Sequence, residues 1–139
     1  MKIHQVGFEL DTPGRGLYDI TEQVSRIVTE SEVGTGLCQV FLRHTSASLL
    51  ITENADPDVL TDLETFFAGL VSDGDKRFIH SAEGPDDMSG HVRAALTQSG
   101  LSIPVSAGTL ALGTWQGIFL WEHRYRAHRR KVVTTILGA

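Results

Sequence analysis

Phe41-Leu42-Arg43-His44-Thr45-Ser46-Ala47-Ser48-Leu49-Leu50-Ile51-Thr52-Glu53-Asn54-Ala55-Asp56-Pro57 is the stretch that decides the fold. It reads as a strand, a tight polar turn, a second strand and the cap of a helix. Strand side chains alternate between two faces. His44 therefore shares a face with Cys38, Val40 and Leu42, and Glu53 shares one with Leu49 and Ile51. An imidazole and a carboxylate in register with apolar residues are either hydrogen-bonded core polars or members of a site. The Thr45-Ser46 pair between them leaves both readings open.

Working outward, Asp56 suits a helix N-cap and Pro57 the first helical position, where a missing N–H costs nothing. Val59, Leu60, Leu63, Phe66, Phe67 and Leu70 then form an apolar stripe. Upstream, the pattern predicts a strand over 2–10, a Pro/Gly loop over 11–16, and a helix over 21–31 carrying Ile20, Val24, Ile27 and Val28 on one face. Gly34-Thr35-Gly36 ends that helix, and strands follow over 37–44 and 48–53. Downstream, 72–75 is a turn and 81–87 a loop. Asp86 or Asp87 caps a helix over 88–98 whose buried side is Met88, Val92, Ala95 and Leu96, with His91 at its edge. Strands are predicted over 101–105, 109–112, 114–124 and 131–137. Pro104 suggests an edge, and the large apolar groups on both faces of 114–124 suggest a central strand. The sum is α+β: one domain over 1–139, a mostly antiparallel β-sandwich with two to three helices.

Composition narrows the function classes. With 139 residues and 41% hydrophobic content the chain can bury a core. A net charge of −5, from 17 acidic and 12 basic residues, argues against a general nucleic-acid binder. No apolar run is long enough to cross a membrane, and the first residues lack a secretory signal, so a cytoplasmic location is expected. Cys38 alone excludes an internal disulfide and reads as a buried, inert thiol. One basic cluster stands out: Arg124, Arg126, Arg129, Arg130 and Lys131, with His123 and His128 among them. It is either a solvated hairpin tip or an anion contact.

Three histidines occupy special settings: His44 at a strand end, His80 before a Gly-Pro loop, and His91 on the next helix. Neutral imidazoles bind zinc and related cations, and an open catalytic site keeps three protein ligands plus water. Hydrogen-bonded core histidines or a general acid/base remain the alternatives. Gly113-Thr114-Trp115-Gln116-Gly117 opens the long strand. Either its glycines admit a ligand to the backbone beside Thr114 and Gln116, or it is a β-bulge. Thr45 and Ser46 either donate to a phosphate or tie off a turn.

These residues resemble the YjbQ family. The resemblance rests on 41–57, His80, the Glu83-Gly84 to His91 segment, Leu112-Gly113-Thr114-Trp115-Gln116-Gly117-Ile118, Trp121-Glu122-His123-Arg124 and Arg130-Lys131-Val132-Val133. Asp87 and Met88 stand where many members carry Asn and Ala. The resemblance implies a small α+β sandwich assembling as a homotrimer. It further implies a secondary thiamine-phosphate synthase activity, which joins a hydroxymethylpyrimidine diphosphate to a thiazole phosphate and releases pyrophosphate. Sites between subunits, lined by histidines and carrying a metal or an anion, come with it. On that reading His44, His80 and His91 are expected to hold a divalent metal, zinc or magnesium. Thr45, Ser46, Asn54, Thr114, Gln116 and Arg124 are expected to bind phosphate oxygens of a phosphorylated small molecule. His44, Glu53 and Asp56 are the expected catalytic groups. The alternative is a trimeric protein that binds a metal or a phosphorylated metabolite without turning it over.

Overall fold

The structure is a computed structural model and describes residues 1–139. In chain order its elements are β1 (Lys2–Thr12), β2 (Gly16–Asp19), α1 (Thr21–Ser31), β3 (Gly36–Leu42), β4 (Ala47–Glu53), α2 (Pro57–Leu70), α3 (Pro85–Leu96), β5 (Gly100–Ser106), β6 (Thr109–Leu110), β7 (Gln116–Glu122) and β8 (His128–Gly138). The strands form two sheets, one ordered β1-β8-β3-β5-β6 and the other β2-β7-β4. Every strand pair is antiparallel. The α+β sandwich expected from the alternation is the fold.

One core lies between the sheets. Even-numbered Cys38, Val40 and Leu42 of β3 face it, with Leu49 of β4, Ile118 and Leu120 of β7, and Ile136 of β8. Helix α1 inserts Val24, Ile27 and Val28 into the same cluster. β7 is paired on both sides, which is why its Gly117–Glu122 run is buried throughout. Its odd face carries Phe119 and Trp121 and lies under the helices. The Phe67 ring of α2 meets Trp121 edge-on at 4.7 Å. The α2 stripe is only partly covered, since Phe66 and Leu70 stay 64% and 57% exposed.

Three local expectations are revised. The 11–16 loop is followed by a short strand, β2, whose four residues are too few to show alternation; it completes the smaller sheet by pairing with β7. Helix α3 starts at Pro85 rather than after Asp86 or Asp87. Gly84, at φ 101°, supplies the turn into it, so both aspartates sit in its first turn. Its buried side is Asp86, Asp87, Ser89, Gly90 and Arg93, a polar face packed on polar partners, while Leu96 is exposed. Finally, β7 begins at Gln116, because Gly113 to Gln116 closes as a turn through Gln116 N–H donating to the Gly113 carbonyl.

Candidate metal and anion site

At the end of the sandwich where β3 stops, β7 stops and β8 begins, the 43–46 link meets α3 and the loop before it. Between them lies a cleft of about 440 Å³ with no hydrophobic residue in its lining. Helix α3 supplies a carboxylate and an imidazole: Asp87 and His91 are four residues apart, hence on one helix face. His80 reaches in from the loop. Its Nε2 lies 2.6 Å from Asp87 Oδ2, and His91 Nε2 lies 3.2 Å from the same oxygen. One ligand atom from each of the three residues falls within 4.8 Å of the others.

The surroundings of His91 restrict what completes this cluster. Its Nδ1 stands 2.9 Å from the Thr45 carbonyl, so Nδ1–H donates there. A neutral imidazole has only one N–H. The Nε2 lone pair then faces a carboxylate oxygen, an arrangement that is stable only with a second proton or a cation between them. The backbone bond at Nδ1 is the outer support that fixes the tautomer and orientation of metal-ligating histidines. Asp87 Oδ1 is taken by Arg124 Nη1 at 2.7 Å, which leaves Oδ2 for the cluster. Two imidazole nitrogens and one carboxylate oxygen fit a three-ligand open site of the zinc class, and fit magnesium, which prefers oxygen donors, less well.

The other wall is basic but engaged. Arg124 also donates to Asp86 through Nε at 3.1 Å and to the Glu83 carbonyl at 2.9 Å. Arg130 is clamped by Glu122, with Nε donating to Oε1 at 2.7 Å, and reaches Ser46 Oγ at 3.1 Å. Thr12 donates to the same Glu122 oxygen at 2.6 Å. Burial pushes the Glu122 carboxyl up, but Arg130 and Thr12 outweigh it and hold it below its usual range. Asp87 is balanced likewise: burial raises it, while His80, Arg124 and His91 together bring it lower. Arg15 braces this wall, donating to the His123 carbonyl at 2.9 Å and to Asp73, which also accepts from Tyr125 and from Ser89 of α3. The lining holds Arg43, Arg124 and Arg130 against Glu83 and Asp87. With Asp86 and Glu122 behind the arginines, three guanidinium groups face four carboxylates.

The residues picked out from the sequence separate into two places. His44, Thr45, Ser46, His80, His91 and Arg124 all line the cleft. His44, however, is not in the three-residue cluster; Asp87 takes that position. His44 lies beyond the end of β3, and its Nε2 accepts the Lys131 N–H at 2.8 Å, standing in for a strand carbonyl. Burial, and then the charges of Arg130 and Lys131, lower its pKa and keep that nitrogen an acceptor. Glu53, Asn54, Asp56, Thr114 and Gln116 lie at the opposite end of the smaller sheet. Antiparallel register pairs Glu53 with Gln116 and Ala47 with Glu122, and a seven-residue strand spans roughly 20 Å. There Glu53 accepts the Asp56 N–H at 2.7 Å, Asp56 caps α2 through the Asp58 N–H at 2.9 Å, and Asn54 donates to the Thr114 carbonyl at 3.3 Å. Gln116 Oε1 accepts the Gly113 N–H at 2.8 Å. The sequence offered Asp87 only as a helix cap and Arg130 only as one member of the basic cluster, and singled out neither for the site. The four-residue spacing of Asp87 and His91 was the available sign for the first.

Such a fold and cleft define a class: small two-sheet α+β proteins with a histidine-carboxylate cluster at one end of the sandwich. Comparison with known proteins gives the family. Residues 7–139 match the family described as "UPF0047 protein YjbQ-like", and the chain belongs to it. A UPF0047 protein of Synechocystis is 53% identical over 97% of this chain and 92% of its own length. The YjbQ protein of Escherichia coli O157:H7 is 37% identical over 97% and 98%. Among solved structures, a YjbQ/UPF0047 family protein of Clostridium acetobutylicum superposes with a TM-score of 0.87 at 36% identity, covering 95% of this chain and 99% of that one.

Proposed function

We propose that the chain is a secondary, substrate-tolerant thiamine-phosphate synthase type transferase, joining a hydroxymethylpyrimidine diphosphate to a thiazole phosphate with release of pyrophosphate. The observation that carries this reading is the His80–Asp87–His91 cluster at the rim of a cleft lined only by polar and charged groups. A divalent cation held there would add to the positive charge that a leaving diphosphate requires, since Arg124 and Arg130 are already paired with carboxylates. Arg43 and the remaining N–H groups of Arg124 and Arg130 orient the phosphate oxygens, and Thr45 and Ser46 border them. His91, fixed by Thr45, and Arg124, fixed by Asp86, are preorganised for that task. The reading extends to a homotrimer: Leu37, Phe41 and Leu137 leave an apolar band exposed on the outer face of the larger sheet.

The test is a coupled assay for pyrophosphate and thiamine phosphate with purified, zinc-loaded protein. Turnover is expected in the wild type. His80→Ala and His91→Ala are expected to lose at least a hundredfold in turnover while keeping the far-UV spectrum. Turnover unaffected by both substitutions removes the cluster from the reaction. Retained metal with no turnover makes the protein a binder rather than an enzyme.

A further inference from the structure

A second cavity, of about 300 Å³, adjoins the cleft on the far side of His80 and differs from it in chemistry. Phe78 and Met88 are the hydrophobic side chains of its lining, which also includes Pro85, Gly74 and Lys76. The two cavities share one residue, His80, whose ring therefore walls both. Asp75, also in its lining, is already committed to Arg77 through Oδ1 and Oδ2 at 3.0 and 2.6 Å. The Gly74 N–H donates to the Pro85 carbonyl at 2.9 Å, which fixes the cavity to the start of α3. An aromatic ring and a thioether are the side chains that grip a flat ring by edge or sulfur contact. On the opposite side of His91 a cavity of about 290 Å³ offers only the methyl groups of Ala47, Ala94 and Ala95 as apolar lining.

We propose that the Phe78–Met88 cavity is the subsite for the organic ring of a diphosphate ester whose phosphates occupy the central cleft. The inference rests on the diphosphate reading of that cleft. The ligand class is a diphosphate ester carrying a single ring, which a cavity of about 300 Å³ can hold. Phe78 and Met88 then select for the ring, while the cluster and the arginines hold the phosphates.

The experiment is a calorimetric comparison of inorganic pyrophosphate with benzyl diphosphate on the zinc-loaded protein. Benzyl diphosphate is expected to bind about tenfold tighter, as partial burial of one ring supports. Phe78→Ala, and separately Ser81→Trp, which fills the cavity from an exposed position, are expected to bring the ester down to the affinity of pyrophosphate. Pyrophosphate affinity itself is expected to stay within twofold. If wild-type protein binds both probes equally, or if the variants weaken both in parallel, the subsite is overturned while the diphosphate reading stands. If pyrophosphate does not bind the wild type, the diphosphate reading and the subsite fall together.

Discussion

His123 is the residue whose chemistry is most altered by its setting. It is fully buried beside Ser48, whose hydroxyl lies 2.9 Å from Nε2, and its Nδ1 has no protein partner. Burial, followed by the charges of Arg93, Arg15 and Arg130, lowers its pKa to about 3. Below about pH 6.5 the unfolded ring takes up a proton that the folded ring refuses until about 3. Stability should therefore fall as pH drops from 6.5 toward 3, by at most about 1.4 kcal/mol per pH unit for this one group. Urea unfolding of His123→Gln between pH 6.5 and 4.5 should show a flatter dependence than wild type; parallel curves would contradict it. Asp86, Asp87 and Glu122 act lower down. Their folded values are depressed, so what they contribute is present above the ordinary carboxylate range and is lost as pH falls through the folded values. The Glu122–Arg130 pair is buried at both ends. Arg130→Met would strand Glu122 and should cost about 3–5 kcal/mol in urea titrations near neutral pH.

Among the elements, α3 matters most to the site, and its start is set by one glycine. Gly84 at φ 101° lies in the region that favours glycine, and it is this backbone conformation that an added Cβ would strain. Gly84→Ala should cost about 1–2 kcal/mol and, under the metal reading, weaken zinc retention in dialysis more than a surface alanine substitution does. Most elements could be read from the chain because their patterns are apolar: the alternation of β3 and the heptad-like face of α1 both survive folding intact. Helix α3 could not be read in the same way. Its inner face is aspartate, serine, glycine and arginine, and a search for apolar periodicity assigns that face to solvent. The polar motifs around Glu53 and Gln116 were recognisable as special, but spacing along a strand does not tell which of its two ends meets a given loop. Register does, and it sends them to the end away from the histidines.

At the scale of the molecule, the larger sheet is covered on one face only. Its inner face meets the core, while Leu37, Phe41 and Leu137 on the outer face are 40%, 49% and 36% exposed. Under the trimer reading this band packs against neighbouring copies. Sedimentation should then give three times the 15.2 kDa chain mass. Phe41→Asp should shift the protein toward the single-chain mass; a monomeric wild type would contradict the assembly. Arg43 stands two residues after Phe41 and lines the cleft, so under the trimer reading loss of the neighbours would also alter that wall.

If the cleft takes a metal and a phosphorylated compound as proposed, the excess of carboxylates over guanidinium groups around it would make the two guests interdependent. An anion arriving alone meets Arg124 and Arg130 already neutralised by Asp86, Asp87 and Glu122, with Arg43 as the unpaired guanidinium of the lining, and a cation arriving alone leaves coordination positions for water to fill. Each should sharpen the other's hold by the same factor, because free energies of joint occupancy do not depend on the order of arrival. The protein would then respond to the coincidence of metal and phosphorylated compound rather than to the concentration of either.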